Sequence, residues 1–224
     1  MICWRHWKWY SRKIVCRWMA DGKNKNKPRT PDVEENRRGI ALDTNIKYCP
    51  MCGSIVVNEI PDGDDRLRHI CHSCGNIQYQ NPKLVVGCIP EWEGGILFCR
   101  RDIEPQKGKW TLPAGFMENN ETAAEGAMRE TWEEARAKVR IVAPYRVYDL
   151  PFVSQVYILF RAQMTDPRFQ TTLESSEVRL INEEDVPWDA IAFPVIRETL
   201  KGYFKDRKNG QFEFLNLQLN TEEI

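Results

Sequence analysis

The hydrophobic positions of this chain change period along its length. KLVVGCIPEW (Lys83 to Trp92) and GILFCRR (Gly95 to Arg101) are short apolar runs, separated by a turn at Glu93-Gly94-Gly95. Runs of that length and composition predict two strands. WTLPAG predicts a further strand ending in Pro113 and Gly115, and VRIVAPYRVYDL and FVSQVYILFRAQM predict two long ones. EVRLI is a short strand. Twice the period becomes helical. Ala124, Met128, Thr131 and Ala135 form a mostly apolar stripe in a helix expected from about Ala123 to about Arg136. Thr122 followed by Glu125 is a capping box at its start. The second helix lies in AFPVIRETLKGYF, with Phe193, Ile196, Leu200 and Tyr203 or Phe204 on one face. Strands surrounding two helices predict an α/β/α sandwich with a mixed sheet.

The ends of the chain differ from this pattern. Residues 1–30 hold nine Lys or Arg, a single acid (Asp21) and four of the eight tryptophans. KNKNKPRTPDVEENRR is a polar linker. Residues 1–46 are expected to be a flexible extension, and residues 209–224 a C-terminal tail. The basic leader shares its scarcity of acids with organelle transit peptides but lacks their serine richness. A translation start at Met19 is another reading. With 32 basic and 32 acidic residues the formal net charge is zero, so no overall field draws the chain to nucleic acid or acidic membranes. The longest apolar runs are strand-sized, far below the roughly 18 residues of a membrane span.

Two cysteine pairs change the picture further. YCPMCG carries Cys49 and Cys52, HICHSCG carries Cys71 and Cys74, and 18 residues lie between the pairs. That spacing predicts a four-cysteine Zn²⁺ site, closed and therefore structural. SIVVNEIPDGDDRLRHI between them predicts two short strands about a Pro-Asp-Gly-Asp turn, a zinc ribbon over residues 47–80. His69 and His72 are competing ligands, and two disulfides are the rival pairing. Cys88 and Cys99 sit in apolar strands and are expected to be buried.

The stretch GFMENNETAAEGAMRETWEEARA, Gly115 to Ala137, contains six glutamates. Glu130, Glu133 and Glu134 share one side of the helix, and like charges at such spacing cost roughly 0.2–0.5 kcal/mol per pair. A divalent cation is the simplest source of compensation. This stretch resembles the Nudix signature: Gly115, five residues, Glu121, seven residues, Arg129-Glu130, Thr131, Trp132, Glu133-Glu134. Thr131 stands where the signature has an aliphatic residue. Arg136 stands at its closing glycine, which puts the helix end in question.

The resemblance implies a Nudix α/β/α sandwich over residues 81–208, preceded by the zinc ribbon. It also implies hydrolysis of a nucleoside diphosphate linked to another moiety. Glu130, Glu133 and Glu134 would be the Mg²⁺ or Mn²⁺ ligands, with Glu118 and Gly115 as further members of the set. Arg129 would brace the loop around Gly115 through Glu121. A glutamate from a later loop, Glu174 or Glu177, would act as base, with Glu177 preferred. Arg101, with Arg100, would meet phosphates. Phe116 and Tyr148, with Trp110 and Phe152, are candidates to stack on an adenine or flavin ring, core packing being the other role open to each. Over residues 47–208 the chain most resembles a zinc-ribbon subgroup of bacterial ADP-ribose and FAD pyrophosphatases and plant plastid FAD pyrophosphatases. The implied reaction is cleavage of FAD or ADP-ribose with release of AMP, by a homodimer. The expected location is cytoplasmic, with a plastid as the alternative. The rival reading is a nucleic-acid or protein binding module, or a capped-RNA hydrolase, on a weakened Nudix scaffold. The ribbon speaks against nucleic acid: Lys47, Arg66, Arg68 and Lys83 are balanced by Glu59, Asp62, Asp64 and Asp65.

Overall fold

The computed structural model describes residues 46–220. The expected N-terminal extension lies outside the described residues, apart from Ile46. The chain divides into two compact units between Tyr79 and Gln80.

The smaller unit is a three-stranded antiparallel sheet of β1 (Val57–Glu59), β2 (Arg68–Ile70) and β3 (Ile77–Gln78), in that order. The Pro-Asp-Gly-Asp turn closes where the Asp64 N–H donates to the Pro61 carbonyl at 3.0 Å. Arg68 pairs with Asp64 across the same loop at 2.8 Å. The third strand follows the second cysteine pair and is only two residues long, too short to carry a period.

The larger unit contains β4 (Lys83–Trp92), β5 (Gly95–Arg101), β6 (Trp110–Thr111), β7 (Ala114–Phe116), α1 (Ala123–Ala135), β8 (Val139–Leu150), β9 (Gln155–Met164), β10 (Ser175–Ile181), α2 (Pro194–Asn209) and β11 (Leu215–Gln218). The sheet order is β10-β5-β4-β9-β8-β11, with β6 on β5 and β7 on β4. β4 pairs with β9 and β8 with β11 in parallel, and the other pairings are antiparallel. The sheet is therefore mixed.

Alternation along the strands decides what covers each face. Val86, Cys88, Phe160 and Ala162 pack against Ala127 of α1. Their neighbours Ile89, Ile96, Phe98 and Leu159 pack against Val195, Ile196, Leu200, Tyr203 and Phe204 of α2. Each large side chain buried this way contributes roughly 1.5–3 kcal/mol. With a helix on either face, the expected sandwich is the observed fold. Both Tyr203 and Phe204 are buried, so the second helix presents a wider apolar face than one stripe.

Three expectations change in detail. WTLPAG is not one strand, because Leu112-Pro113 separates β6 from β7 and the Pro113 carbonyl accepts instead from the Cys88 N–H at 3.1 Å. Residues 151–153 form a single 3₁₀ turn before β9. Residues 209–224, expected as a tail, include β11, which pairs from Leu215↔Arg146 to Gln218↔Asp149. Phe212 and Leu219 join the core on the α2 face.

Candidate active site and metal centre

In the smaller unit the two Cys-x-x-Cys-Gly segments form matching turns. Gly53 N–H donates to Cys49 O at 2.9 Å and Gly75 N–H to Cys71 O at 2.8 Å. Both glycines have φ above +70°, which a side chain would strain. The turns bring all four sulfurs within 4.8 Å of one another. Cys49 Sγ lies 3.6 Å from Cys74 Sγ, and Cys52 Sγ 3.5 Å from Cys71 Sγ. A disulfide needs about 2.05 Å. The edge of a tetrahedron with Zn–S bonds of about 2.3 Å is about 3.8 Å. The thiols therefore fit Zn²⁺ and not disulfides. Neither histidine joins them: His72 Nε2 faces Glu59 at 3.2 Å, and His69 is buried in β2.

In the larger unit α1 begins as expected. Thr122 accepts from the Glu125 N–H, and the Glu125 side chain accepts from the Thr122 N–H. The inward face differs from the expected stripe. It is centred on Ala127, Thr131 and Ala135, and it includes Glu130 and Glu134, which are 8% and 6% exposed. Met128 stays at the edge of the helix. Thr131 is fully buried and its hydroxyl donates to Ala127 O at 2.8 Å, so a polar residue is accommodated there. At the helix end Arg136 has φ +52° and closes the helix in the left-handed conformation of the glycine it replaces.

Arg129 organises the loop before the helix. It grips Glu121 through Nε at 2.9 Å and Nη2 at 2.8 Å, and donates from Nη2 to Phe116 O at 3.1 Å. The pair holds the Glu121 carboxyl down at about 2. Nη1 of the same arginine meets Glu130 at 2.7 Å and Glu133 at 2.8 Å. Gly115 stands where a Cβ would fall on the Glu130 carboxylate. Gly126 similarly makes room for Glu121.

Glu134 is the unusual group. Its Oε2 is buried with no hydrogen-bond partner. Burial first, then the charges of Glu130 and Glu174, push its carboxyl up to about 8, against the pull of Arg101 and the Ala114 amide. Burial likewise raises Glu130, against Arg129. A buried carboxylate oxygen without a donor, on the same helix face as Glu130, fits a hard divalent cation. Among the described residues only the cysteines already cluster within mutual ligand distance. Glu130 and Glu133 are turned onto Arg129, and the Glu133 side chain is 49% exposed. Glu118 is exposed, and its N–H donates to Glu121 Oε1 at 2.7 Å.

The other candidates separate. Glu177 pairs with Arg100 at 3.5 Å and with Arg179, so its carboxylate is held by two arginines. The charge of Glu174, the other later-loop candidate, bears on both Glu130 and Glu134. Glu177 is the third residue of β10, whereas Glu174 is the last residue of the loop before it. Arg100 is occupied by the Gly108 carbonyl at 2.8 Å. Arg101 donates to Pro105 O at 2.8 Å, lies over the Phe193 ring at 5.1 Å and acts on Glu134. Phe116 is half exposed, with Lys83 over its ring at 5.3 Å. Tyr148 is 1% exposed and packed in the α2-side core, so of its two candidate roles the structure gives core packing and closes its faces to a stacking ring. Trp110 packs partly against the same core, and Phe152 is 40% exposed.

The NUDIX domain family matches residues 81–200, more than half of the chain, and the zinc-ribbon family described as Nudix N-terminal matches residues 47–80. This chain belongs to the Nudix family. The crystal structure of a NUDIX hydrolase from Nitrosomonas europaea is 54% identical to it, covers 79% of this chain and 100% of that one, and superposes with a TM-score of 0.77. An ADP-ribose pyrophosphatase from Methanocaldococcus jannaschii is 36% identical over 33% of this chain and 43% of its own length. An NAD-capped RNA hydrolase, NudC, from Photobacterium profundum is 27% identical over 51% of this chain and 41% of its own. The chain thus spans less than half the length of these two curated relatives. No helix among the described residues is long and apolar enough to cross a membrane.

Proposed function

We propose that this Nudix protein hydrolyses the diphosphate bond of a nucleoside diphosphate derivative, FAD or ADP-ribose, with release of AMP. The buried, donorless carboxylate oxygen of Glu134, within reach of the charges of Glu130 and Glu174, is the observation that carries it. Glu130, Glu134 and Glu133 would hold Mg²⁺ or Mn²⁺, with Glu118 and Gly115 at the edge of the set. A cation held there would neutralise diphosphate charge and acidify a water. Glu174 would take the proton of a water attacking phosphorus as the P–O bond to the leaving phosphate breaks. Arg101 steadies a phosphate oxygen, and Phe116 offers a face to an aromatic ring. Arg129 keeps the loop and Glu130 in place. Zn²⁺ on the four cysteines holds the ribbon, and a homodimer is the assembly the family resemblance suggests.

The relative named ADP-ribose pyrophosphatase favours the small dinucleotide. The one named NAD-capped RNA hydrolase favours a second substrate, capped RNA. The balanced charge of the ribbon argues for the former. The test is a panel of FAD, ADP-ribose, NADH and capped RNA with Mg²⁺, products resolved by chromatography, with Glu134→Gln as control. AMP release from FAD or ADP-ribose that the control abolishes is the expected result. No turnover from zinc-loaded, folded protein would overturn the proposal in favour of a binding module.

A further inference from the structure

The loop between β9 and β10 carries Glu174 and meets the C-terminal end of α1. The last carbonyls of a helix lack partners within it. Here the loop supplies them: Gln170 N–H donates to Ala135 O at 2.8 Å, and the Thr172 hydroxyl donates to Glu134 O at 3.3 Å. The same hydroxyl accepts from the Glu174 N–H and the Ser175 N–H, each at 3.2 Å. One donation and two acceptances use the full capacity of a hydroxyl. Thr172 N–H closes the turn onto Ser175 O at 3.0 Å, and Asp102 N–H holds Glu174 O at 2.8 Å.

We infer that Thr172 is a positioning residue whose hydroxyl clasps the Glu174 loop to the helix bearing Glu130 and Glu134, and so fixes where the Glu174 carboxylate stands. This rests on Glu174 as the group that takes the proton. The three side-chain bonds are at the long end of the range, so each is weak alone. The shorter backbone bonds from Gln170 and Asp102 keep the loop attached without them. Loss of the hydroxyl therefore loosens Glu174 more than it loosens the fold. Ser175 is 1% exposed, so water does not readily replace the partner of its N–H.

The experiment compares Thr172→Val, Thr172→Ser, Glu174→Gln and the double variant Thr172→Val/Glu174→Gln in the full chain, with kcat, KM and Tm. Thr172→Val is expected to lower kcat about tenfold, the scale of one lost hydrogen bond. KM should stay within about twofold. Thr172→Ser keeps the hydroxyl and should restore most of the rate. In the Glu174→Gln background Thr172→Val should cost nothing more, because residues acting through one another are non-additive. Wild-type kcat in Thr172→Val, or an equal loss in both backgrounds, overturns the inference. Full activity of Glu174→Gln alone removes the proton-acceptor role and the inference with it. A wild-type chain without turnover instead strikes the proposed function. Amide hydrogen exchange then tests the clasp by itself, since Thr172→Val must lose protection at Glu174 and Ser175 while Gln170 keeps it. Should the valine variant fail to fold, Thr172→Ala takes its place.

Discussion

Replacing Glu134 by glutamine should make the cation-free protein more stable at alkaline pH while abolishing activity. The Glu134 carboxyl ionises near 4.5 in an unfolded chain and near 8 in the folded one. Between those values the unfolded chain has released a proton that the folded chain keeps. Stability therefore falls as pH rises through that window, is unaffected below it, and has lost the full amount above it. At 1.36 kcal/mol per pH unit the ceiling is about 5 kcal/mol. Local relaxation reduces this, and about 2–4 kcal/mol is the expected gap. Glutamine has the same shape and no charge, so it escapes the loss. For a chain of this size about 2–4 °C accompanies each kcal/mol, so the variant should melt about 5–15 °C higher at pH 9. The two proteins should converge at pH 5. The assay is thermal unfolding from pH 5 to 9 in buffers free of Mg²⁺ and of chelators, which would strip the ribbon. Adding Mg²⁺ should stabilise the wild type only, by about 2.7 kcal/mol at a hundredfold excess over Kd. Parallel pH profiles of the two proteins, or a variant less stable at pH 9, would refute the idea that this buried acid carries uncompensated charge.

Gly115→Ala would place a methyl group on the Glu130 carboxylate. Steady-state kinetics should show kcat reduced on the order of a hundredfold with a nearly unchanged melt, since small displacements at a reacting centre have that scale. Arg136→Gly should be about 1 kcal/mol more stable than Arg136→Ala in denaturant titrations, because only glycine adopts φ +52° without strain and both variants lose the Trp132 contact. Cys71→Ser should reduce bound zinc below one ion per chain in a chromophoric zinc assay. Hydrogen exchange should then rise across residues 47–79 before it rises in the sheet of the larger unit.

How much of this was legible in the sequence depends on range. Thr122, Glu125 and the cysteine knuckles act within a few residues, and their spacing alone gave the helix start and the metal centre. Apolar runs such as VVGCI identified strands because their faces are covered by α1 and α2. The inward turn of Glu130 and Glu134 was not legible. Carboxylates read as solvent-facing until a cation site requires burial, and it is their low exposure, with the close approach of Glu130 to Gly115, that shows that they point in. Glu174 against Glu177 turned on where a loop becomes a strand, since a shift of one residue in register reverses the facing. Tyr148 was a stacking candidate only as an aromatic residue, and the core on the α2 side takes its ring. The strand β11 is too short for periodicity and exists by pairing with β8.

Arg136 bears on whether the site belongs to a working enzyme or to a weakened scaffold. A non-glycine residue in the left-handed conformation costs about 1 kcal/mol. That cost is offset where the chain must turn in any case. Ala135 and Ala137 on either side are buried, Arg136 N–H donates to Trp132 O at 2.8 Å, and Gln170 N–H covers the Ala135 carbonyl. Arg136 also lies over the Trp132 ring at 5.5 Å, and a cation suits the negative end of a helix. The helix consequently stops where the signature glycine would have stopped it, one residue past the turn that holds Glu130, Glu133 and Glu134. The contacts of Arg136 run to Trp132 and not to those carboxylates. The departure from the signature changes stability slightly and leaves the case for a hydrolase resting on Glu134 and Glu174.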